Sequence, residues 1–290
     1  MRKFYIENGL GSRQSLNGEK GIFLSNPTGL GVNLSPSFAD IHKGFFRPIS
    51  GDSEQQSTIA GDLVFIGDNA YADYRAFVDW CAVSDDLFLI YKPYGNTEFY
   101  RKVRINYLTK TELTDTRWLS VPMSLACLTP WYRATPSKMT MSTEEGNVMQ
   151  YPFSYASDLI YSSSNAGSMA VDLGTAGHIP AAFVLNYSGE IINPKITLKG
   201  STTGQTYGVC ALNITLSAGE QIEVSTQYGN SYAHKIDGSG KVSDILECVD
   251  LAYEPFPRIP VSEDCTLYLG ADEIIRGSAT VRVYYYYRSV

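Results

Sequence analysis

Paired carboxylates are the usual equipment for splitting a glycosidic bond, and the chain has two adjacent pairs, Asp85-Asp86 and Glu144-Glu145. Neighbours on a strand point to opposite faces, so neither pair can flank one bond as an acid and its partner. The other reactive types are no better grouped. His42, His178 and His234 are scattered, and Cys81, Cys127, Cys210, Cys248 and Cys265 are odd in number, widely spaced and without a CxxC. That pattern predicts buried free thiols in a reducing compartment rather than a disulfide framework or a zinc site. No GxSxG, HExxH, Walker loop or dinucleotide fingerprint occurs, and the two glycines of "GLGSRQ" lack the strand–helix context of a phosphate cradle. The expectation is a protein without catalytic residues, cofactor or metal.

Charge narrows the partners. The net charge is −7. Residues 1–135 are balanced, with 14 basic and 14 acidic side chains, while residues 136–290 carry 9 and 16. A neutral half and an acidic half predict no stable nucleic-acid binding, which needs a cationic face to displace counterions. The start "MRKFYIENG" has no apolar stretch behind it, and no apolar run is long enough to cross a bilayer. No membrane insertion is expected, and synthesis is assigned to a cytoplasm.

The remaining candidates are side chains placed to hold a surface, and the elements that carry them can be read in order. Tyr71, Tyr74, Phe77, Val78 and Cys81 recur at helical spacing after Asn69, a candidate N-cap. Trp80 falls on the opposite side of that helix, to be covered either by a loop or by another subunit. "DDLFLIY" (85–91) reads as a strand buried on both faces, and "PYGN" (93–96) as a turn into "EFYRKVRINYL" (98–108). There Phe99, Val103, Ile105 and Tyr107 share one face. In "RWLSVPMSLAC" (117–127), Leu119, Val121, Met123, Leu125 and Cys127 alternate cleanly with Trp118, Ser120, Pro122 and Ser124. Pro122 cannot donate to a ladder, which predicts a sheet edge or a bulge. Between "GFFRPIS" (44–50) and "TIAGDLVF" (58–65), the polar "GDSEQQS" beside Phe45 and Phe46 reads either as an arm that packs outside its own core or as a surface loop. Phe45, Phe46, Trp80 and Pro122 are therefore the candidate inter-subunit contacts.

Pro130 and Pro136 bracket Trp131 and Tyr132 and predict a stiff, extended exit from the last strand of a first domain. The two aromatics are the candidate seam anchors, with the boundary near residue 135. Beyond it, "PAAFVLNYSGEIINPKITLKG" (180–200) reads as strand, turn, strand, with Pro194 interrupting the second strand, and "LNITLSAGEQIEVST" (212–226) as a hairpin turning at Ala218-Gly219. Short strands with regular turns and no convincing helix predict a β-sandwich or barrel. In "ATVRVYYYYRSV" (279–290), Val281, Val283, Tyr285 and Tyr287 share one face and Arg282, Tyr284, Tyr286 and Arg288 the other. That second face is either a ligand or partner surface, or arginine stems packed over tyrosines on an open sheet.

Taken in order, "MRKFYIENGLG…LNG", "GIFLSNPTGLGV", "YRAFVDW", "LIYKPYGNTEFYRKVRI" and "RWLSVPMSLACLTPWYRA" resemble the N-terminal domain of phage distal tail proteins. "NYSGEIINPKITLKG", "LSAGEQIEVST" and "FPRIPVSEDCTLYLGA" resemble the C-terminal domain, although Glu263-Asp264 stand where that family usually has a glycine–asparagine turn. The resemblance implies a mainly β protein. Residues 1–135 would form a β-sandwich or split-barrel-like domain with one α-helix, and residues 136–290 a galectin- or carbohydrate-module-like sandwich. It further implies a homo-hexameric ring at the virion tail tip, placed between the major tail tube protein and a tail-associated hub protein, with a receptor-binding protein held peripherally. The competing function is a glycan-binding adhesion module that grips saccharide with tyrosines.

Overall fold

A computed structural model describes the backbone of residues 2–32, 34–35, 38–42, 45–48, 53–54, 56–112, 117–142, 168–174, 176–252 and 254–290. Side chains are described in the same segments except at 34–54, 140–142, 168, 275 and 276. The chain divides into two compact units, Met1–Arg133 with Tyr287–Val290, and Ala134–Tyr286. The chain thus crosses between them twice, and the last four residues, which the sequence reading had left in the second domain, return to the first unit.

In the first unit, β1 (Lys3–Asn8) pairs with β2 (Arg13–Ser15), and β3 (Ile22–Thr28) follows. Next come β4 (Leu34–Ser35), β5 (Phe38–His42), β6 (Phe45–Pro48), β7 (Ser53–Glu54) and β8 (Thr58–Ile66). After the helix α1 (Ala70–Ala82) the chain continues through β9 (Leu87–Lys92), β10 (Phe99–Leu108), β11 (Trp118–Cys127) and β12 (Trp131–Lys138). The antiparallel order is β2-β1-β9-β10-β11-β8-β3. The Leu16–Asn17 corner ties its ends: Leu16 N donates to Phe4 O and accepts from Leu24 N at its own carbonyl, each at 3.0 Å. Asn17 holds both polar groups of Phe4, accepting its N–H at 2.7 Å and donating to its carbonyl at 2.8 Å.

The apolar face of β11 is buried as its alternation predicts, with Leu119, Val121 and Leu125 at zero exposure. Its position is not the predicted one. β11 is paired along both sides, to β10 and to β8, so Pro122 does not mark a sheet edge. Thr109 N donates to the Pro122 carbonyl at 3.0 Å, which places the polar side of Pro122 toward the end of β10. The missing N–H therefore falls where the β10 ladder stops at Leu108, and opposite Asp62 of β8 no bond from it is required. A register shift between Ile105 and Tyr107 has a second consequence. It turns Tyr107 out to half exposure, away from the apolar face assigned to it.

Helix α1 buries Ala70, Phe77 and Cys81. Phe65 meets Tyr74 and Phe77 edge-on, at 5.8 and 6.0 Å between ring centroids. Asn69 occupies the N-cap position, but its side chain makes no capping bond. Tyr71, counted in the apolar stripe, instead lies at the surface and donates its hydroxyl to Glu112 at 2.8 Å.

In the second unit one sheet holds β15 (Ile179–Ile192), β19 (Gln221–Gln227), β20 (Asn230–Ile236), β21 (Val242–Asp244) and β23 (Glu273–Tyr287). β18 (Thr215–Leu216) adds to β15. The other sheet runs β13 (Thr140–Ser142), β14 (Ser168–Gly174), β22 (Cys265–Gly270), β16 (Lys195–Gly200) and β17 (Thr206–Ala211) in spatial order. Phe183, Leu185, Val281 and Val283 from the first and Ile196, Leu198, Leu267 and Leu269 from the second enter a single buried core, which makes this unit a two-sheet sandwich.

Two local readings change. The strand–turn–strand order of 180–200 is present, but Pro194 lies in the turn instead of interrupting the second strand: β15 runs through Ser188-Gly189 beside β23, and the chain leaves the sheet at Asn193, whose φ is +49°. β18 and β19 are not a hairpin either: both lie against β15, at Ile191–Ile192 and Val184–Ser188, joined by the Ala218-Gly219 turn. A strand of 14 residues is long enough to carry both.

Candidate functional site

The first candidate surface is the excursion between β3 and β8. Among the described residues, β4 pairs only with β7 and β5 only with β6, each as a two-stranded ladder apart from the main sheet. Phe45 pairs with His42 and Phe46 with Asp40 in that backbone ladder; their side chains lie outside the described ones. The polar stretch read as an arm ends in an anchor. Ser57 is buried, its hydroxyl accepts from the Arg101 guanidinium, and its carbonyl accepts from Cys127 N at 3.0 Å.

Trp80 is half-buried and has partners in its own chain: its ring stacks on Phe77 at 6.0 Å and its indole N–H donates to Ser12 Oγ at 3.0 Å. The β1–β2 turn thus supplies a loop for it, one of the two covers left open by the sequence. Pro122 lies inside a strand paired on both sides and presents no open edge for a neighbour to cover.

The seam aromatics are held differently. Trp131 is fully buried in the first unit's core. Its indole N–H donates to Leu30 O at 3.2 Å, and the Arg101 guanidinium lies 5.4 Å from the ring centroid. Tyr132 stacks on Tyr100 at 5.9 Å, and Tyr100 in turn joins Arg13 and Glu98 in a hydrogen-bonded cluster. The backbone stays extended through Pro136 as β12.

Of these four residues, Arg282, Tyr284 and Tyr286 alternate along β23 but differ in burial, and Arg288 lies beyond the strand. Arg282 is exposed and Tyr284 half-buried, and both line a cavity of about 190 Å³ with Asn186 and Glu223. Tyr286 is buried and meets Tyr228 edge-on at 5.6 Å, with the Arg258 guanidinium 3.9 Å from the Tyr228 centroid. Burial pushes the Tyr286 hydroxyl up to about 12. Arg288 falls in the four-residue tail that belongs to the first unit. A larger concavity, about 880 Å³, lies on the outer face of the other sheet around Tyr268, and nothing in the sequence reading pointed there.

All five cysteines are free, four of them buried. Among the described residues no cluster of histidine, cysteine or carboxylate side chains is arranged to hold a metal ion, and no helix is long and apolar enough to cross a membrane. Glu144-Glu145 lie outside the described residues.

The described residues form a mainly β architecture with one α-helix and a self-paired excursion. Residues 3–128 match the family "Distal tail protein, N-terminal domain", the family that the motifs of this region resemble. The fold is similar over the whole chain to solved structures. One is a chain of the phage P2 baseplate in its activated conformation with calcium, 14% identical, covering 100% of both chains with a TM-score of 0.66. The strontium form of that baseplate gives 15% identity and the same TM-score and coverage. The SPP1 Dit protein, described as a paradigm of hub adsorption apparatus in phages infecting Gram-positive bacteria, is 10% identical with a TM-score of 0.60. It covers 98% of this chain and 99% of its own. No curated protein sequence matches the chain.

Proposed function

We propose that this chain is the ring component of a phage tail tip, in which first units associate head to tail into a closed homo-hexamer. The ring joins the major tail tube protein on one side to a tail-associated hub protein on the other. The second unit, a galectin- or carbohydrate-module-like sandwich, serves as the peripheral attachment point for a receptor-binding protein. Residues 1–135 carry the self-association and residues 136–290 the attachment.

The observation that carries this reading is the 34–54 excursion, whose described strands pair only with one another within a distal tail N-terminal domain. A self-paired ribbon gains little from its own two strands, and a neighbour that receives it supplies the missing burial. A closed ring needs a heterologous contact of this kind, with the receiving surface different from the ribbon. Trp80 and Pro122 have partners in their own chain and are secondary here.

The test is light scattering coupled to size exclusion, at several loadings, on the full chain and on a variant with residues 36–52 replaced by a short glycine–serine turn. That replacement keeps Ser57 and its bond to Arg101. The full chain is expected to elute as a hexamer at high loading and the variant as a folded monomer. A full chain that is monomeric at every loading, or a variant that still forms the ring, overturns the proposal.

A further inference from the structure

The outer face of the β13-β14-β22-β16-β17 sheet has a construction that the tail-tip role does not use. Register places Ala170, Tyr268 and Thr197 in one row across three strands, and Asp172, Thr266 and Lys199 in the next. Lys195 stands beside Gly270 in a third row. Tyr268 is thus a half-buried aromatic ring flanked by Ala170 and Thr197 and, along its own strand, by Gly270. A Cβ added at Gly270 would come no nearer than 4.0 Å to anything but its chain neighbours, so the space beside the ring is open. The concavity around it measures about 880 Å³, within the range of small-ligand sites.

The polar groups around the ring are mixed in sign and in kind. Lys199 Nζ lies 5.4 Å from the Tyr268 centroid. Asp172 accepts from the Thr266 hydroxyl at 2.8 Å, and Asn193 Nδ2 donates to Asp272 Oδ2 at 2.7 Å, both at the lining of the concavity. Two lysines and two aspartates leave it formally neutral, which disfavours a phosphate or a polyanion. Carboxylates and ammonium groups together offer acceptors and donors to hydroxyl groups, each of which needs both. An aromatic face with open space beside it suits the C–H face of a pyranose ring. The lining holds one aromatic ring and no arginine, unlike protein-interface hot spots with their clustered aromatics and arginines.

We propose that this face binds a neutral oligosaccharide, with Tyr268 as the stacking platform and Asp172, Lys195, Lys199, Asn193 and Asp272 meeting its hydroxyl groups. This moves the saccharide reading from the Arg282/Tyr284 face to the opposite sheet. It stands independently of ring assembly, because the 34–54 excursion belongs to the other unit.

The test uses the labelled full chain on an array of neutral oligosaccharides built from glucose, galactose, rhamnose and N-acetylhexosamines, with sialylated and glycerol-phosphate glycans as acidic controls. Titration calorimetry with the best neutral hit follows. Saturable binding to neutral glycans is expected. Tyr268→Ala should weaken it about tenfold or more, while Tyr268→Phe, which keeps the ring, stays within about threefold. Thr197→Arg, which fills the concavity from a neighbouring strand, should also abolish binding and covers the case in which Tyr268→Ala fails to fold. Tyr284→Ala should change nothing. No saturable neutral hit, binding confined to the acidic controls, or a loss with Tyr284→Ala that Tyr268→Ala and Thr197→Arg do not share would each overturn the proposal.

Discussion

Trp131 explains how a chain rich in strand signals can carry two prolines near its middle. The indole is sealed in the first unit and bonded to Leu30 O, so the residues after it are pinned before they leave. At this scale the sequence was readable wherever a side chain answers to period and size alone. The apolar faces of β11 and of α1 at Phe77 and Cys81 are of that kind. It was unreadable where a partner distant in sequence decides the outcome, as Ser12 does for Trp80, Glu112 for Tyr71 and Arg101 for Ser57. The cysteines give a measurable consequence of burial. Burial alone raises the Cys81 and Cys210 thiols to about 12, above the free value of 9.0. Below pH 9 both states are protonated and the stabilisation is complete. Between about pH 9 and 12 the unfolded chain loses these protons first, so stability falls as pH rises. Thermal unfolding followed by circular dichroism should show a lower midpoint at pH 10.5 than at pH 8. The drop should shrink in the Cys81→Ala, Cys210→Ala double variant; a drop of unchanged size would assign it to other groups.

Elements were legible as strands and illegible as neighbours. Alternation marked β10 and β11 well, but it carries no information on which strand lies beside which, and so Pro122 read as the mark of an edge or a bulge. Its real tolerance comes from the stop of β10 at Leu108, with Thr109 N reaching the Pro122 carbonyl. Pro122→Val should therefore neither expose a pairing edge nor break a bond. The expected change in unfolding free energy is within about 1 kcal/mol, with no new self-association by light scattering. A variant that aggregates would restore the edge reading. The same blindness to partners misplaced Pro194, read as interrupting a strand: the first strand pairs with β23 as far as Ile192, with Gly189 opposite Gly277, so the turn falls at Asn193-Pro194. Tyr187 also leans over Gly277, where an added Cβ would collide with its ring, so that glycine serves packing. The face around Tyr268 was missed for a related reason. Its residues come from three strands far apart in sequence, and no local spacing signals their shared row.

At the scale of the whole molecule, the proline-bracketed exit was readable as a seam near residue 135, while the return of the C-terminus did not show. Tyr287 meets Phe99 edge-on at 5.4 Å, and with Val290 it packs on the first unit's core. Removing residues 287–290 should therefore destabilise the first unit rather than the second. Urea unfolding is expected to show an earlier transition in the Trp131 fluorescence signal, by about 1–3 kcal/mol for the lost aromatic packing. A transition that does not move would mean that the tail contributes nothing there. The two crossings, at 133–134 and 286–287, also set how tension travels. A unit fastened by one end hangs on a single covalent thread. Here a pull applied to the second unit enters the first along two strands at once, β12 and β23, each carrying part of the load. Across its two crossings the chain is wired in parallel.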